Sequence, residues 1–158
     1  MKIWAAIILP LTLWSTAAAA ADGVDKHFLI MCALFKLGSS TSKPEAKDLN
    51  LLVNQTASAD GLMAVVETFD PAHIVPAGNF ANVSFDKSGR TKFTALTGPV
   101  HDPGTWLLGG TLVEEGAYDV LLGKVATRNI SFKGRCWMSN IASADQEFEK
   151  LKAGHPAL

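Results

Sequence analysis

Cysteine is nearly absent from this chain, and neither sign of charge dominates it. Each scarcity excludes something. A formal charge of −1 with no basic stripe gives nucleic-acid binding no electrostatic footing. The four histidines, His27, His73, His101 and His155, are scattered, and no zinc spacing links them to one another or to the two cysteines. There is no phosphate loop, dinucleotide fingerprint or Gly-x-Ser-x-Gly elbow. No internal repeat with a period of about 20–50 residues is visible. These gaps point away from catalysis, so the expectation is a non-enzymatic protein without a cofactor.

One long apolar run is present, and it stands at the front. Lys2 precedes an apolar stretch from Ile3 to Trp14, and the tract Ala17-Ala18-Ala19-Ala20-Ala21 ends just before Asp22. A charged start, a short apolar middle and a small-residue exit make a secretory signal peptide. The middle is shorter than the roughly 20 apolar residues that a membrane helix needs. Residues 1–21 therefore read as a leader and residues 22–158 as a single extracellular domain. Removal of Lys2 leaves 13 basic residues against 15 acidic ones. Residues 147–158 are polar and lack the hydrophobic tail of a glycolipid-anchor signal, so the mature chain is expected to be soluble and secreted.

Export changes how the remaining residues read. In an oxidising compartment Cys32 and Cys136 form one disulfide, the alternative being two buried thiols. Three Asn-x-Ser/Thr triplets begin at Asn54, Asn82 and Asn129, which makes these asparagines candidate glycan acceptors.

The periodicity predicts a helix-rich α+β fold. Phe28, Met31, Cys32 and Phe35 follow one-face helical spacing over Asp25–Leu37. Ser42-Lys43-Pro44-Glu45 has capping-box form and would open a second helix with Ala46, Leu49, Leu52 and Val53 inward. Ser58 or Asp60 would cap a third, carrying Leu62, Val65, Val66 and Phe69 and ending at Asp70-Pro71. These N-terminal helices would pack together. Alternation at Ala81, Val83 and Phe85, the cluster Asp86-Lys87-Ser88-Gly89, and alternation again at Thr91, Phe93 and Ala95 predict a central β-hairpin. Residues 105–122 are apolar but broken by Gly109, Gly110 and Gly116, and either helix or strand fits them. Ser143-Ala144-Asp145-Gln146 would open a C-terminal helix with Phe148 and Leu151 inward and Gly154 as its stop.

The segment His27-Phe28-Leu29-Ile30-Met31-Cys32-Ala33-Leu34-Phe35-Lys36-Leu37 resembles the first helix of trypanosome variant surface glycoproteins. Lys47-Asp48-Leu49-Asn50-Leu51 followed by Thr56-Ala57 adds to the likeness, which spans residues 22–69. The resemblance implies a glycosylated, dimeric, helix-rich coat protein at the plasma membrane. Such a coat shields the parasite surface and evades host antibodies by antigenic variation. It is held by a glycolipid anchor, which this chain does not encode. Carried over by position, the resemblance makes Cys32 a disulfide partner and Phe28, Met31 and Phe35 packing residues. The chain carries neither the family's cysteine-rich C-terminal segment nor sustained heptads.

Two other readings compete. The hairpin, the glycine-rich middle and Trp106 could line the pocket of a secreted small-ligand or carbohydrate-binding module. His101-Asp102 could serve a hydrolase, although Asp and Pro103 are ordinary turn residues. Glu114-Glu115 could be paired carboxylates, but neighbours in sequence point in different directions.

Overall fold

The computed structural model describes residues 26–39, 44–58, 61–76, 79–86, 90–139 and 142–154. The expected leader, Ser42 and Lys43 of the expected capping box, residues 87–89 of the expected hairpin turn, and His155 lie outside them. Among the described residues the chain forms eight strands and one helix: β1 (Lys26–Lys36), β2 (Lys47–Ser58), β3 (Gly61–Phe69), β4 (Asn82–Phe85), β5 (Lys92–Leu96), β6 (Trp106–Glu114), β7 (Ala117–Lys124), β8 (Asn129–Ser139) and α1 (Ala144–Gly154). All neighbouring strands are antiparallel, in the order β3-β2-β1-β8-β7-β6-β5-β4. That order is an up-and-down meander bent round until its first and last strands pair, with the remaining seam between β3 and β4. The Phe80 amide donates to Thr68 Oγ1 across that seam at 2.9 Å. The result is a nearly closed barrel.

The helix-rich expectation is overturned. The three segments read as N-terminal helices are β1, β2 and β3. The physical reason is that β1 is buried on both faces. Phe28, Ile30, Cys32 and Leu34 point into the barrel, while Leu29 and Met31 lie outside under α1. A strand covered on both sides reads as an unbroken apolar run, and such a run contains helical spacings by necessity. The hairpin read over 81–95 is the β4–β5 pair, with Val83 opposite Ala95 and Phe85 opposite Phe93. The ambiguous stretch 105–122 is mostly the β6–β7 hairpin, turned at Gly116 with φ +74°.

The C-terminal helix falls where it was expected. Asp145 and Glu147 sit in the first turn and Lys152 in the last, which suits the helix dipole. Phe148 is fully buried against Leu29, Leu52 and an edge-on Phe69 ring. Burying that side chain is worth about 2–3 kcal/mol. Lys152 Nζ reaches Glu67 of β3 at 2.8 Å and ties the helix end to the sheet. The helix thus covers the outer face of β1–β3 and leaves the outer face of β5–β8 bare.

Eight strands enclose a space that side chains can fill, and here they fill it. Phe93, Trp106, Leu108, Tyr118, Leu122 and Phe132 are among the buried inner-face residues. One end is closed by the β3–β4 connection. There Asp70 accepts the amides of Ile74 and Val75 at 2.9 and 2.8 Å, which turns both apolar side chains into the core. At the other end the Arg90 guanidinium lies 5.3 and 5.4 Å from the Phe28 and Phe85 ring centres. The Arg90 carbonyl accepts the Tyr118 hydroxyl at 2.8 Å.

Cys32 and Cys136 are register partners across the β1–β8 ladder, with Cα atoms 4.0 Å apart and sulfurs at disulfide distance. Both are buried in the barrel. Two residues away on β8, a Cβ added to Gly134 would collide with the Ala33 carbonyl oxygen. Glycine is what allows β1 and β8 to approach so closely there.

Tyr118 is the chain's single tyrosine, so its titration can be read alone. Burial pushes its pKa up, Arg90 pulls it down and Asp86 raises it, for a net upward shift. Above the ordinary tyrosine value near 10, the native state therefore holds a proton that the unfolded state has lost, and stability falls as pH rises. Absorbance titration should give a phenolate midpoint above 10 in buffer that returns to about 10 in denaturant. Tyr118→Phe should weaken the alkaline loss of stability.

Candidate ligand groove

The bare outer face is shaped by glycine. On β6, Leu107, Gly109 and Thr111 point outward, alternating with inward Trp106, Leu108 and Gly110. Gly109 pairs with outward Leu121 on β7, and Gly123 pairs with Ile130 on β8. Gly109 therefore sits where a side chain would stand on a filled face, whereas a Cβ on Gly123 would collide with the Asn129 carbonyl oxygen. A Cβ added at Gly109 would meet nothing within 4 Å. Leu107, Leu121, Val125 and Ile130 rise around this floor to form a groove of about 520 Å³. Leu121 and Ile130 are each 48% exposed, unusual for large apolar side chains.

The charged residues of the groove are all cations. Lys92 lies at one end, opposite Thr111 in register, and Lys124 and Arg128 lie towards the other. Among the described residues no carboxylate lines it. The two ends differ in charge, with one lysine at the first and a lysine and an arginine at the second. Arg128 occupies the β7–β8 turn with φ +52°, and Asn129 follows it on the rim.

The residues singled out from sequence are dispersed. Asn82 and Asn129 are exposed at the starts of β4 and β8, whereas the Asn54 side-chain oxygen is buried on β2. His27, His73 and His101 are all exposed. Asp102 accepts the Gly104 amide at 2.7 Å and so shapes its own turn. Glu114 faces Arg135 at 3.5 Å while Glu115 lies in the hairpin turn, and the two do not converge on a common point. Trp106 is inside the barrel at 6% exposure and cannot line an outer pocket, while Trp137 is 45% exposed on β8. Of the features expected to line a pocket, the glycine-rich middle and β5 of the hairpin do so. Leu121, Ile130 and Arg128 carried no sequence signal, because a concavity on a strand face arises only when separate strands come into register.

Among the described residues no group of three or more His, Cys, Asp or Glu side chains is arranged to hold a metal ion. Among the same residues no helix is long and apolar enough to cross a membrane. No protein-family model, curated protein or solved structure matches the chain.

Proposed function

We propose that this protein is a secreted small-ligand-binding barrel whose site is the groove on the outer face of β5–β8. The observation that carries the reading is the groove itself. Its volume of about 520 Å³ falls within the range of small-molecule sites, and such sites combine apolar walls with few polar groups. The inside of the barrel is taken up by aromatic and aliphatic side chains, which favours the outer face over the lumen. Secretion would follow from the leader, and the exposed Asn82 and Asn129 would be its accessible glycan acceptors. The surface-coat role drew, beside the leader, the cysteine pair and the acceptor triplets, on a likeness to a helical first segment, and that segment is strand β1.

Filling the floor tests the reading. Gly109→Leu places a side chain into open space and improves strand propensity. The variant should melt at or above the parent temperature. A decyl-chain amphiphile at about 100 times its dissociation constant should stabilise the parent by about 2.7 kcal/mol and leave Gly109→Leu unmoved. Equal stabilisation of both proteins would reject the groove as the site.

A further inference from the structure

We infer that the ligand is a free single-chain amphiphile with an anionic head, bound with its head at the Arg128 end and its tail over Gly109. The inference rests on the groove being the ligand site and adds the ligand's charge and direction.

The first argument is charge. Every charged residue lining the groove is a cation, and none of Lys92, Lys124 or Arg128 takes part in an ion pair among the described residues. A groove of one sign with low-dielectric walls favours a ligand group of the other sign. Arg128 offers a planar donor fork suited to a carboxylate.

The second argument is direction. Among the described lining residues Lys92 is the one cation at the Thr111 end, whereas Lys124 and Arg128 both stand towards the β7–β8 turn. Lys124, Arg128 and Asn129 meet no carboxylate in the groove lining. The net positive end is therefore the β7–β8 turn. From Leu107 to Thr111 the floor runs four residues along β6, about 13 Å at strand rise. That length suits an extended alkyl chain lying over Gly109 between Leu107 and Leu121.

The third argument is shape. A bilayer surface is met by apolar side chains that project from the protein. Here the apolar atoms line a hollow whose floor is glycine, which fits one molecule lying in it.

Titration calorimetry of the purified protein with decanoate, decanol and decyltrimethylammonium, each below its micelle concentration, tests the inference. Decanoate should bind at least about tenfold more tightly than decanol, as a charge-assisted hydrogen bond to guanidinium requires. The cation should bind most weakly. Arg128→Gln should weaken decanoate far more than decanol and so remove the preference between them, and Gly109→Leu should abolish binding of all three. Equal affinity for decanoate and decanol would overturn the head-group assignment and leave the groove standing. No binding by any of the three would overturn both. Binding confined to anionic phospholipid vesicles, or a dimer that Gly109→Leu dissociates, would replace the free amphiphile with a membrane or a second copy of the chain.

Discussion

Replacing Cys32 and Cys136 together with alanine should lower stability by about 4–5 kcal/mol in the chain-entropy treatment of a loop this long, with a fall in Tm of roughly 15 °C. The two cysteines are 104 positions apart yet stand directly opposite each other in register. They lie on β1 and β8, the strands whose pairing turns an open meander into a barrel. Every other ladder joins strands adjacent in sequence and closes a shorter loop. The β1–β8 ladder alone must bring the first and last strands of the chain together, so a covalent link there removes the most freedom from the unfolded chain. Because both sulfurs are buried, reductant should act slowly on the native protein and quickly once denaturant opens it. Thermal melts of the double variant and of the parent with and without reductant measure the effect. Unchanged melting of the variant would show that the ladder holds the seam unaided.

Gly110→Val should cost about 3–5 kcal/mol, the range seen when a buried phenylalanine is lost. Gly110 and Phe93 are register partners on β6 and β5, and a Cβ on Gly110 would collide with the edge of the Phe93 ring. The aromatic side chain lies over the glycine opposite it, a device that pins strand register. That ring also makes an edge-on contact with Tyr118 at 5.1 Å and is 1% exposed. A valine at 110 must expel it. In the Phe93→Ala background the same valine has space to occupy, so the double variant should be no less stable than Phe93→Ala alone. Denaturant melts of the two single variants and the double variant read this coupling directly. Additive losses would show that the glycine serves another purpose.

The parts legible in the sequence were those with one wet face. In β4 and β5 buried Val83, Phe93 and Ala95 alternate with solvated neighbours, and the hairpin follows from that period of two. In α1 one stripe containing Phe148 and Leu151 is apolar and the rest is charged, so spacing and caps identify the helix. β1 was illegible for the opposite reason. Its outer face, which would otherwise be polar, is covered by a helix more than a hundred residues later in the chain. No local window contains that fact. The likeness of residues 27–37 to a coat-protein helix drew on the same unbroken apolar run. The groove was hidden at a further level. Gly109, Gly110 and Gly116 read alike in sequence but do three different things: one leaves a hollow, one seats an aromatic ring and one turns a hairpin.

Amide shift mapping of the isotope-labelled protein with decanoate tells a ligand outside the filled barrel from one inside it. Saturable shifts should centre on Gly109, Leu121, Gly123 and Arg128, with the inward-facing Phe28 and Ile30 and the end-closing Ile74 and Val75 undisturbed. Shifts centred on those inward and end-closing residues, with Gly109 and Gly123 silent, would place the ligand in the lumen and contradict a site on the outer face.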